Sequence, residues 1–387
     1  MGKATKALHL ARAMKARSTG ISLDPNLTIS TAEGRNLIIN GAMNISQRGT
    51  IDTGITGGTL VETYRAAPDR HRFALNTGGT WTASQDSDAP DGFSRSYKLE
   101  CTTANASLSA SSYALIEHRF EGRQLLGVKK GTANAKSLTL SFWVKSSVSG
   151  NYMSELYDHT NQRQCSKLYT INSADTWEYK KIIFPPDTSG TLNDDTNNSI
   201  SVDMWFLAGT DFNSGTLPSG WASVNGPDRA NGHNVNLAAT QGNTIRLTGF
   251  QLEIGSDVTP FEHVKYEDEL YRCKRYYQRY NRPANYAGLG LFVPFTTSGA
   301  NCLFYMDVEP RGNPTILYSS LSHFDYFGVT GSGGSGNPSA IQNNGWAGAN
   351  SIDLGFVAAS SHLTIARAGL FEFNNSADAW LAFHSEL

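Results

Sequence analysis

The stretch SLTLSFWVKSS, residues 137–147, is the clearest indication of the fold class. Four large apolar residues alternate in it with Thr139, Ser141, Trp143 and Lys145. Because successive side chains of a strand point to opposite faces, this period of two predicts a strand with one buried and one wet face. Such alternation is typical of antiparallel sheets, so the stretch predicts an all-β fold.

Three further stretches repeat this period of two. They are TWEYKKIIFP (176–185), SISVDMWFLA (199–208) and NTIRLTGFQLEIG (243–255). The Gly-, Asn- and Asp-rich segments at 189–198 and 223–234 are typical of surface loops between strands. Residues 36–261 are therefore predicted to form an antiparallel two-sheet sandwich, a jelly roll.

Residues 262–282 have a different period. Apolar or aromatic side chains recur there at spacings of 4, 3, 4 and 3, which places them on one face of a helix. They are Tyr266, Leu270, Cys273, Tyr277 and Tyr280. Acidic residues precede basic ones, as the helix dipole favours, and Pro283 follows the end. We expect one amphipathic helix that either docks on its own sandwich or meets copies of itself around an axis.

The strand pattern returns after Pro283, in stretches such as NCLFYMDVEP (301–310) and LTIARAGLFEFN (363–374). Residues 283–387 are therefore predicted to form a second, smaller β-sandwich. The predicted helix then links two β-domains.

The composition argues against several classes of function. Charged residues make up 17% of the 387 residues and the net charge is -2, which does not favour broad binding to nucleic acid or membrane surfaces. No apolar run approaches the roughly 18 residues of a membrane-spanning helix, so a soluble chain is expected. The four cysteines form no CxxC pair, which predicts free thiols in a reducing cytosol.

The first 35 residues are predicted to form a separate arm. The spacing of Leu8, Ala11 and Met14 predicts a short helix whose apolar face is too small to hold it to a core. Its basic residues are Lys3, Lys6, Arg12, Lys15 and Arg17. We expect an arm that folds against a partner. A transit peptide, which has a similar composition, is the alternative.

Several of these stretches resemble one known family. They are NLIINGAMNISQRGT (36–50), SLTLSFWVKSS, TWEYKKIIFPPDTSGT (176–191) and, above all, TGFQLEIGSDVTPFEHVKYEDELYRCKRYYQRY (248–280). They resemble the carbohydrate-binding-module-like jelly roll of bacteriophage tail fibres and other virion appendages, common in marine phages. Residues 283–387 also resemble the small sandwich that often follows this helix and ends in a short acidic tail, here Ser385-Glu386-Leu387. The family's Tyr-x-x-Asp-Arg-Trp pattern is altered to YRAAPDRHRF (64–73), with Phe73 as the expected core anchor.

The resemblance implies a structural virion protein, assembled in the host cytoplasm. Such proteins are usually homotrimers that attach to the tail or capsid through the N-terminus and face host-surface glycans with the far end. The arm (1–35) would then be the attachment segment and the helix stripe a trimer contact. The alternatives are a capsid-decorating fibre without glycan binding and a glycan-binding module of a secreted hydrolase.

The sequence contains no G-x-S-x-G, HExxH, P-loop or Rossmann glycine pattern, so we expect no enzymatic activity. Carbohydrate binding is a more specific hypothesis than an enzymatic role, because sugar rings stack on aromatic side chains while polar neighbours orient the hydroxyls. The loop tryptophans Trp81, Trp221 and Trp346 are the candidates. The alternative is that each packs under its own loop, and the strand residues Trp143, Trp177 and Trp205 are expected in the wall or core.

No cofactor is predicted, apart from the structural calcium that jelly-roll modules of this kind often hold near their first and last strands. Asn40 and Glu253 are the matching candidates. Calcium takes six or more oxygen ligands, and these two residues supply few.

Overall fold

The computed structural model describes residues 34–57, 67–282, 284–327, 335–359 and 363–387, without the side chains at 335, 346 and 347. The chain divides into two units, Met1–Arg35 and Asn36–Leu387, and every described strand and helix lies in the second. The five basic residues predicted for the arm, Lys3, Lys6, Arg12, Lys15 and Arg17, lie outside the described residues. None of the described helices has the length and apolar character needed to cross a membrane.

The described residues form an antiparallel all-β fold, as predicted. The strands before the main helix are β1 (Ile51–Thr56), β2 (Arg72–Asn76), β3 (Thr80–Asp86), β4 (Ser96–Thr103), β5 (Tyr113–Glu121), β6 (Leu138–Ser146), β7 (Gly150–Asp158), β8 (Arg163–Ile171), β9 (Glu178–Phe184), β10 (Asn198–Ala208), β11 (Ala222–Ser223) and β12 (Thr244–Ile254). The helical elements are α1 (Thr210–Asn213), α2 (Tyr266–Lys274) and 3-10 turns at Gly122–Val128, Gly226–Asp228, Leu237–Ala239 and Leu321–His323. The later strands are β13 (Tyr277–Asn281), β14 (Gly288–Pro294), β15 (Gly299–Tyr305), β16 (Thr315–Tyr318), β17 (Phe324–Phe327), β18 (Ser335–Gly336), β19 (Pro338–Gly348), β20 (Ser351–Ala358), β21 (Gly369–Phe373) and β22 (Trp380–His384).

The first twelve strands form two six-stranded sheets around one core. Sheet A has the order β1-β3-β4-β12-β6-β9, and sheet B has the order β11-β8-β7-β10-β5-β2. Phe142 of sheet A and Phe206 of sheet B are both fully buried in this core. Leu138, Leu140 and Val144 lie in the same core, which confirms the strand period found at 137–147. The sandwich is of the jelly-roll type.

The predicted helix at 262–282 is wrong in its extent, because only Tyr266–Lys274 is helical. The second half of the stretch turns and becomes β13, which pairs with β22 from Tyr277↔His384 to Asn281↔Trp380. Tyrosines suit a strand as well as a helix, and the tertiary pairing with β22 decides between the two. The two tyrosines of β13 serve different neighbours: Tyr277 lies under the Arg48 guanidinium at 3.7 Å, whereas Tyr280 packs on Phe304 with ring centroids 5.0 Å apart.

The later strands form a second, smaller sandwich. Its three-stranded sheet has the order β13-β22-β16, and its seven-stranded sheet has the order β18-β17-β21-β14-β15-β20-β19. Leu381 of the smaller sheet and Phe304 of the larger one share a buried cluster. The linking element therefore contributes a strand of this sandwich rather than a rod between two domains.

The last three residues of the sequence return to the jelly roll. The Arg311 guanidinium donates to the carbonyl oxygens of Ser385 and Glu386 at 2.7 and 2.9 Å. The Glu386 side chain pairs with Arg70, and Leu387 packs against a cluster built around Tyr276. The two sandwiches are thus joined by polar and apolar contacts at this junction.

Candidate functional site

A cleft lined by aromatic rings lies on the outer face of sheet A. Trp143 of β6 and Tyr179 of β9 are directly opposite each other in register, with ring centroids 5.3 Å apart. Both side chains point away from the core because they alternate with the buried residues Phe142 and Ile182. Tyr179 is 45% exposed. The two rings form one aromatic side of the cleft, open to solvent.

Two loops supply the other aromatic walls. Phe93 follows β3, and Phe261 follows β12; their ring centroids are 4.9 Å apart. The His263 ring is 4.9 Å from Phe261 and 5.4 Å from Phe93. Gly249, in a bulge of β12, keeps the cleft open: a Cβ there would lie 2.8 Å from Cζ of Phe93 and 3.1 Å from Cδ1 of Trp143. The cleft therefore depends on a glycine with a positive φ of 64°.

Charged groups lie beside these rings on the same face. The Asp88 carboxylate accepts hydrogen bonds from Lys145 Nζ at 2.9 Å and from the Trp177 indole N–H at 3.0 Å. Arg246 lies within 3.4 Å of Asp88 and also donates to Asp86 at 3.1 Å. Burial alone would raise the pKa of Asp88, but the Lys145 and Trp177 hydrogen bonds outweigh it and lower the pKa. Asp88 is thus ionised at neutral pH and is an acceptor with fixed orientation.

The cleft has a volume of about 340 Å³ and is lined by Phe93, Ser141, Trp143, Tyr179, Gly249, Pro260 and Phe261. This volume lies at the small end of the roughly 300–1,000 Å³ typical of small-molecule sites. Flat aromatic faces beside a few fixed polar groups can stack on the C–H face of a sugar ring and hydrogen-bond its hydroxyls. The arrangement suits a short piece of a carbohydrate chain.

Trp81 was predicted to contact glycan, and this prediction is wrong. Its side chain is fully buried in the jelly-roll core, and its indole N–H donates to the carbonyl of Gly78 at 2.6 Å. Trp81 begins the inward-facing set of β3, so the strand period places it on Phe73, with ring centroids 5.8 Å apart. Phe73 is buried as well, which confirms the core-anchor role predicted for it.

Trp221 and Trp346 lie away from the cleft lining. Trp221 is half-buried against the core, its indole N–H donates to the Pro185 carbonyl at 2.9 Å, and the Lys130 ammonium lies 5.1 Å from the ring centroid. Its ring thus already has partners within the protein. Trp346 is in β19 opposite Ile352, and its side chain lies outside the described residues.

The predicted stripe of the helix is mostly used within the chain. Cys273 is buried with Ile39 and Ile45 of the jelly roll, and Leu270 packs against the same cluster. The helix therefore docks on its own sandwich. Tyr266, at the start of α2, is 57% exposed.

The two calcium candidates do not fit a cation site. The Asn40 side-chain oxygen accepts from the Ile45 backbone N–H at 2.9 Å, and its amide donates to the Ile45 and Asp69 carbonyls. The Glu253 carboxylate accepts from Gln251 and from the backbone and hydroxyl of Thr259. Among the described residues, no group of three or more His, Cys, Asp or Glu side chains is placed to hold a metal ion.

A second cluster of ionisable side chains lies on the outer face of sheet B. Asp203 of β10 is opposite Glu117 of β5 and Glu155 of β7. Burial, together with these two neighbours, raises the pKa of Asp203 well above its ordinary value. The Arg229 guanidinium donates to both oxygens of Glu155 at 2.9 to 3.2 Å. All three acids are at most 9% exposed, so the cluster holds the Arg229 loop to the sheet rather than facing an open cleft.

Trp143 and Tyr179 were missed as candidates although the sequence contains the signal for them. The period of two at 137–147 already places Trp143 on the wet face with Ser141 and Lys145. A tryptophan on the solvent-facing side of a strand is a large aromatic side chain that a ligand can reach, so this position could have been named as a candidate. The convergence of Phe93 and Phe261 on Trp143 depends on tertiary structure and has no local signal.

No family model and no curated protein matches the sequence. Among solved structures, the enzymatically active domain of bacteriophage CBA120 tailspike protein 4 is similar to this chain at 11% sequence identity and a TM-score of 0.29. The match covers 57% of this chain and 21% of that chain. A family 11 carbohydrate-binding module of a Clostridium thermocellum cellulosomal cellulase is similar at 12% identity and a TM-score of 0.28, and the match covers 54% of this chain and 99% of that chain. A CBM22-1-CBM22-2 tandem domain from Paenibacillus barcinonensis is similar at 8% identity and a TM-score of 0.25, and the match covers 87% of this chain and 99% of that chain. These similarities are too weak to assign a ligand, so a binding function for this chain has to be argued from the geometry of the cleft.

Proposed function

We propose that this protein binds carbohydrate in the aromatic cleft of sheet A and does so as a non-enzymatic appendage protein of a phage particle. The observation that carries the binding function is the Trp143–Tyr179 pair on the wet face of the sheet, 5.3 Å between ring centroids. Such a cross-strand aromatic pair stabilises the sheet, and its solvent-facing side also provides a stacking surface for sugar rings.

The polar groups beside the rings favour a sugar over a purely apolar ligand. Asp88 is fixed by Lys145 and Trp177, and its carboxylate provides acceptor sites for hydroxyl groups. An apolar ligand would gain nothing from these charges, which cost free energy to desolvate. A short oligosaccharide uses both the aromatic walls and the charged side.

The virion role is supported by the sequence resemblance of residues 36–282 to phage appendage proteins. In this proposal the arm (1–35) attaches to a tail or capsid protein, the chain self-associates as a homotrimer, and assembly takes place in the host cytoplasm. The cleft would then hold a glycan of the host surface without cleaving it.

The binding function is tested on an array of bacterial lipopolysaccharides, capsular polysaccharides and β-glucans, followed by titration of any hit. Trp143→Ala is expected to weaken binding by about 2- to 10-fold, since one aromatic contact is worth roughly 0.5–1.5 kcal/mol. Tyr179→Ala is expected to weaken it as well. Tyr271→Ala is the matched control, because Tyr271 is 61% exposed on α2 and lies outside the cleft lining.

Two outcomes would remove the proposal. One is a wild-type protein that binds no glycan on the array. The other is a Trp143→Ala variant that binds as well as Tyr271→Ala, which would place any binding elsewhere on the molecule. Release of reducing sugar from a bound polysaccharide would overturn the non-enzymatic part.

A further inference from the structure

The outer face of the seven-stranded sheet exposes a group of large apolar side chains, called here the apolar face. Its members are Leu291 (70% exposed), Val293 (49%), Phe295 (57%), Leu303 (46%), Tyr305 (66%) and Phe327 (51%). They alternate with core residues such as Phe292 and Phe304, so the strand period itself directs them outward. Single exposed apolar residues are ordinary, but a contiguous set is not.

The sheet register makes this set contiguous. Leu291 of β14 is opposite Leu370 of β21, and Leu370 is opposite Phe327 of β17. On the other side of β14, Val293 is opposite Asn301 of β15, two residues before Leu303. Apolar side chains therefore form a row across four neighbouring strands.

The strands of this sheet carry three charged residues, Asp325, Asp353 and Glu372, which alternate with core residues and so face outward, and Asp353 is directly opposite Leu303. Residues 284–306 contain no Asp, Glu, Lys or Arg, and residues 283–387 contain no lysine. The amides beside the row bond to each other: Asn344 donates to Asn301 at 2.8 Å, and Asn301 donates to Asp353 at 2.9 Å. Soluble monomers protect sheets with charged residues, lysine above all, and this sheet has only its three acids and no lysine.

We infer that the apolar face is a self-association surface, and that its occupant is a second copy of this chain. A whole large side chain has an area of roughly 150–250 Å². The exposed fractions of the six side chains of the apolar face therefore amount to on the order of 600 Å² of apolar surface. A standard interface buries about 800 Å² per partner, so this face with its amide border supplies most of one. A largely apolar surface can pack against a copy of itself, and permanent homomeric interfaces are the most apolar ones.

The chemistry of the face argues against the other occupants. Three of the six members, Leu291, Val293 and Leu303, are aliphatic, so only half of the face, Phe295, Tyr305 and Phe327, offers a flat ring to a sugar. A membrane-surface site would carry lysines or arginines, which attract anionic lipid, and the residue types here do not. The inference rests on the proposed function in one respect: the proposed function includes a homotrimer, and the inference names the surface through which its chains associate.

The test compares masses in solution by light scattering and sedimentation over a range of micromolar concentrations. The wild type is expected at two or three times the chain mass of 42.0 kDa. The double variant Leu291→Asp with Leu303→Asp should self-associate at least about 100-fold more weakly, because each carboxylate would be buried without a partner. Ile51→Asp is the matched control, since Ile51 is 59% exposed on β1 of the other sandwich.

A wild type that stays a single chain at all concentrations overturns the inference, and so does a double variant that assembles like the wild type. In either case the glycan array still tests the glycan proposal separately, because the cleft and the apolar face lie on different sandwiches. Should the double variant not fold, hydrogen exchange on the wild type decides. Amides of β14 and β15 are expected to lose protection on dilution, and unchanged protection overturns the inference.

Discussion

The Glu386 carboxylate and the Arg70 guanidinium form an ion pair that is buried between the two sandwiches. The two residues are 316 positions apart, and their side chains are 1% and 0% exposed. Arg48 contacts the other carboxylate oxygen at 3.2 Å, and the Tyr276 ring lies 3.5 Å from the Arg70 guanidinium carbon. Glu386, near the end of the sequence, thus completes a buried charged cluster with Arg70 and Arg48 of the jelly roll.

Glu386→Gln is expected to lower the free energy of unfolding by about 3–5 kcal/mol. The substitution leaves the charge of Arg70 buried without its carboxylate, and breaking a buried pair from one side typically costs that amount. Chemical denaturation measures the change. Glu309→Gln is the control at an exposed glutamate of the same sandwich, and it should change stability by no more than about 0.5 kcal/mol. A loss below about 1 kcal/mol in Glu386→Gln would show that the pair contributes little.

The same pair predicts a dependence of stability on pH. Burial alone would raise the pKa of Glu386, but the charges of Arg70 and Arg48 outweigh it and hold the pKa below its ordinary value of 4.5. The stabilisation from the ionised carboxylate is therefore complete above pH 4.5 and is lost as the pH falls through the lower folded-state pKa. The stability difference between wild type and Glu386→Gln should shrink over that range. A constant difference from neutral to acid pH would contradict it.

Gly249→Ala is expected to weaken glycan binding at the cleft. The new methyl group would press on Phe93 and Trp143, and its left-handed backbone would cost about 1–2 kcal/mol of stability. Gly242→Ala separates the two effects, because Gly242 also has a positive φ, 87°, but has open space around its Cβ position. Both variants should lose similar stability, and only Gly249→Ala should lose affinity in titrations. Equal affinities would mean that crowding at this point does not reach the ligand.

Trp81 and Trp143 are expected to respond in opposite ways to substitution by alanine. Trp81→Ala removes a fully buried ring and should lower stability by about 3–5 kcal/mol while affinity of the folded protein stays unchanged. Trp143→Ala removes a half-exposed ring and should mainly lower affinity. Denaturation and glycan titration on both proteins give the comparison. A loss of affinity in a folded Trp81→Ala protein would contradict the cleft as the site.

The four cysteines are expected to react slowly with a thiol reagent in the native protein. All four are free and buried, as the sequence predicts, and burial raises the pKa of Cys165 and of Cys302 to about 12. Reaction requires the thiolate, which is scarce at neutral pH for such groups. A colorimetric thiol assay should detect four thiols only after denaturant is added. Rapid labelling of a native thiol would indicate local opening around it.

Local patterns predicted the strands well, because alternation is a property of consecutive residues. The stretch predicted at 137–147 is β6, Leu138–Ser146, and the one at 243–255 is β12, Thr244–Ile254. The end of the helix could not be predicted in this way. Tyr277 and Tyr280 fit a helical stripe by spacing, and only the pairing of Tyr277–Asn281 with β22, about a hundred residues later, makes this segment a strand.

The site was harder to predict than the fold because its parts are brought together by loops. Trp143 was on the correct face in the sequence pattern, but Phe93 and Phe261 come from separate segments and meet only in the folded protein. The partners of Glu386 are even more distant in sequence, so its burial had no local signal. Acidic side chains are ordinarily exposed, and Glu386 is buried because Arg70 neutralises it.

The pairing of β13 with β22 means that the chain enters and leaves the second sandwich through adjacent strands. A gene segment encoding everything between Asn281 and Trp380 could therefore be exchanged for another of different length, and the two flanking strands would still find each other. The fold thus permits recombination to replace about a quarter of the chain, residues 282–379, as a cassette while the jelly roll keeps its architecture.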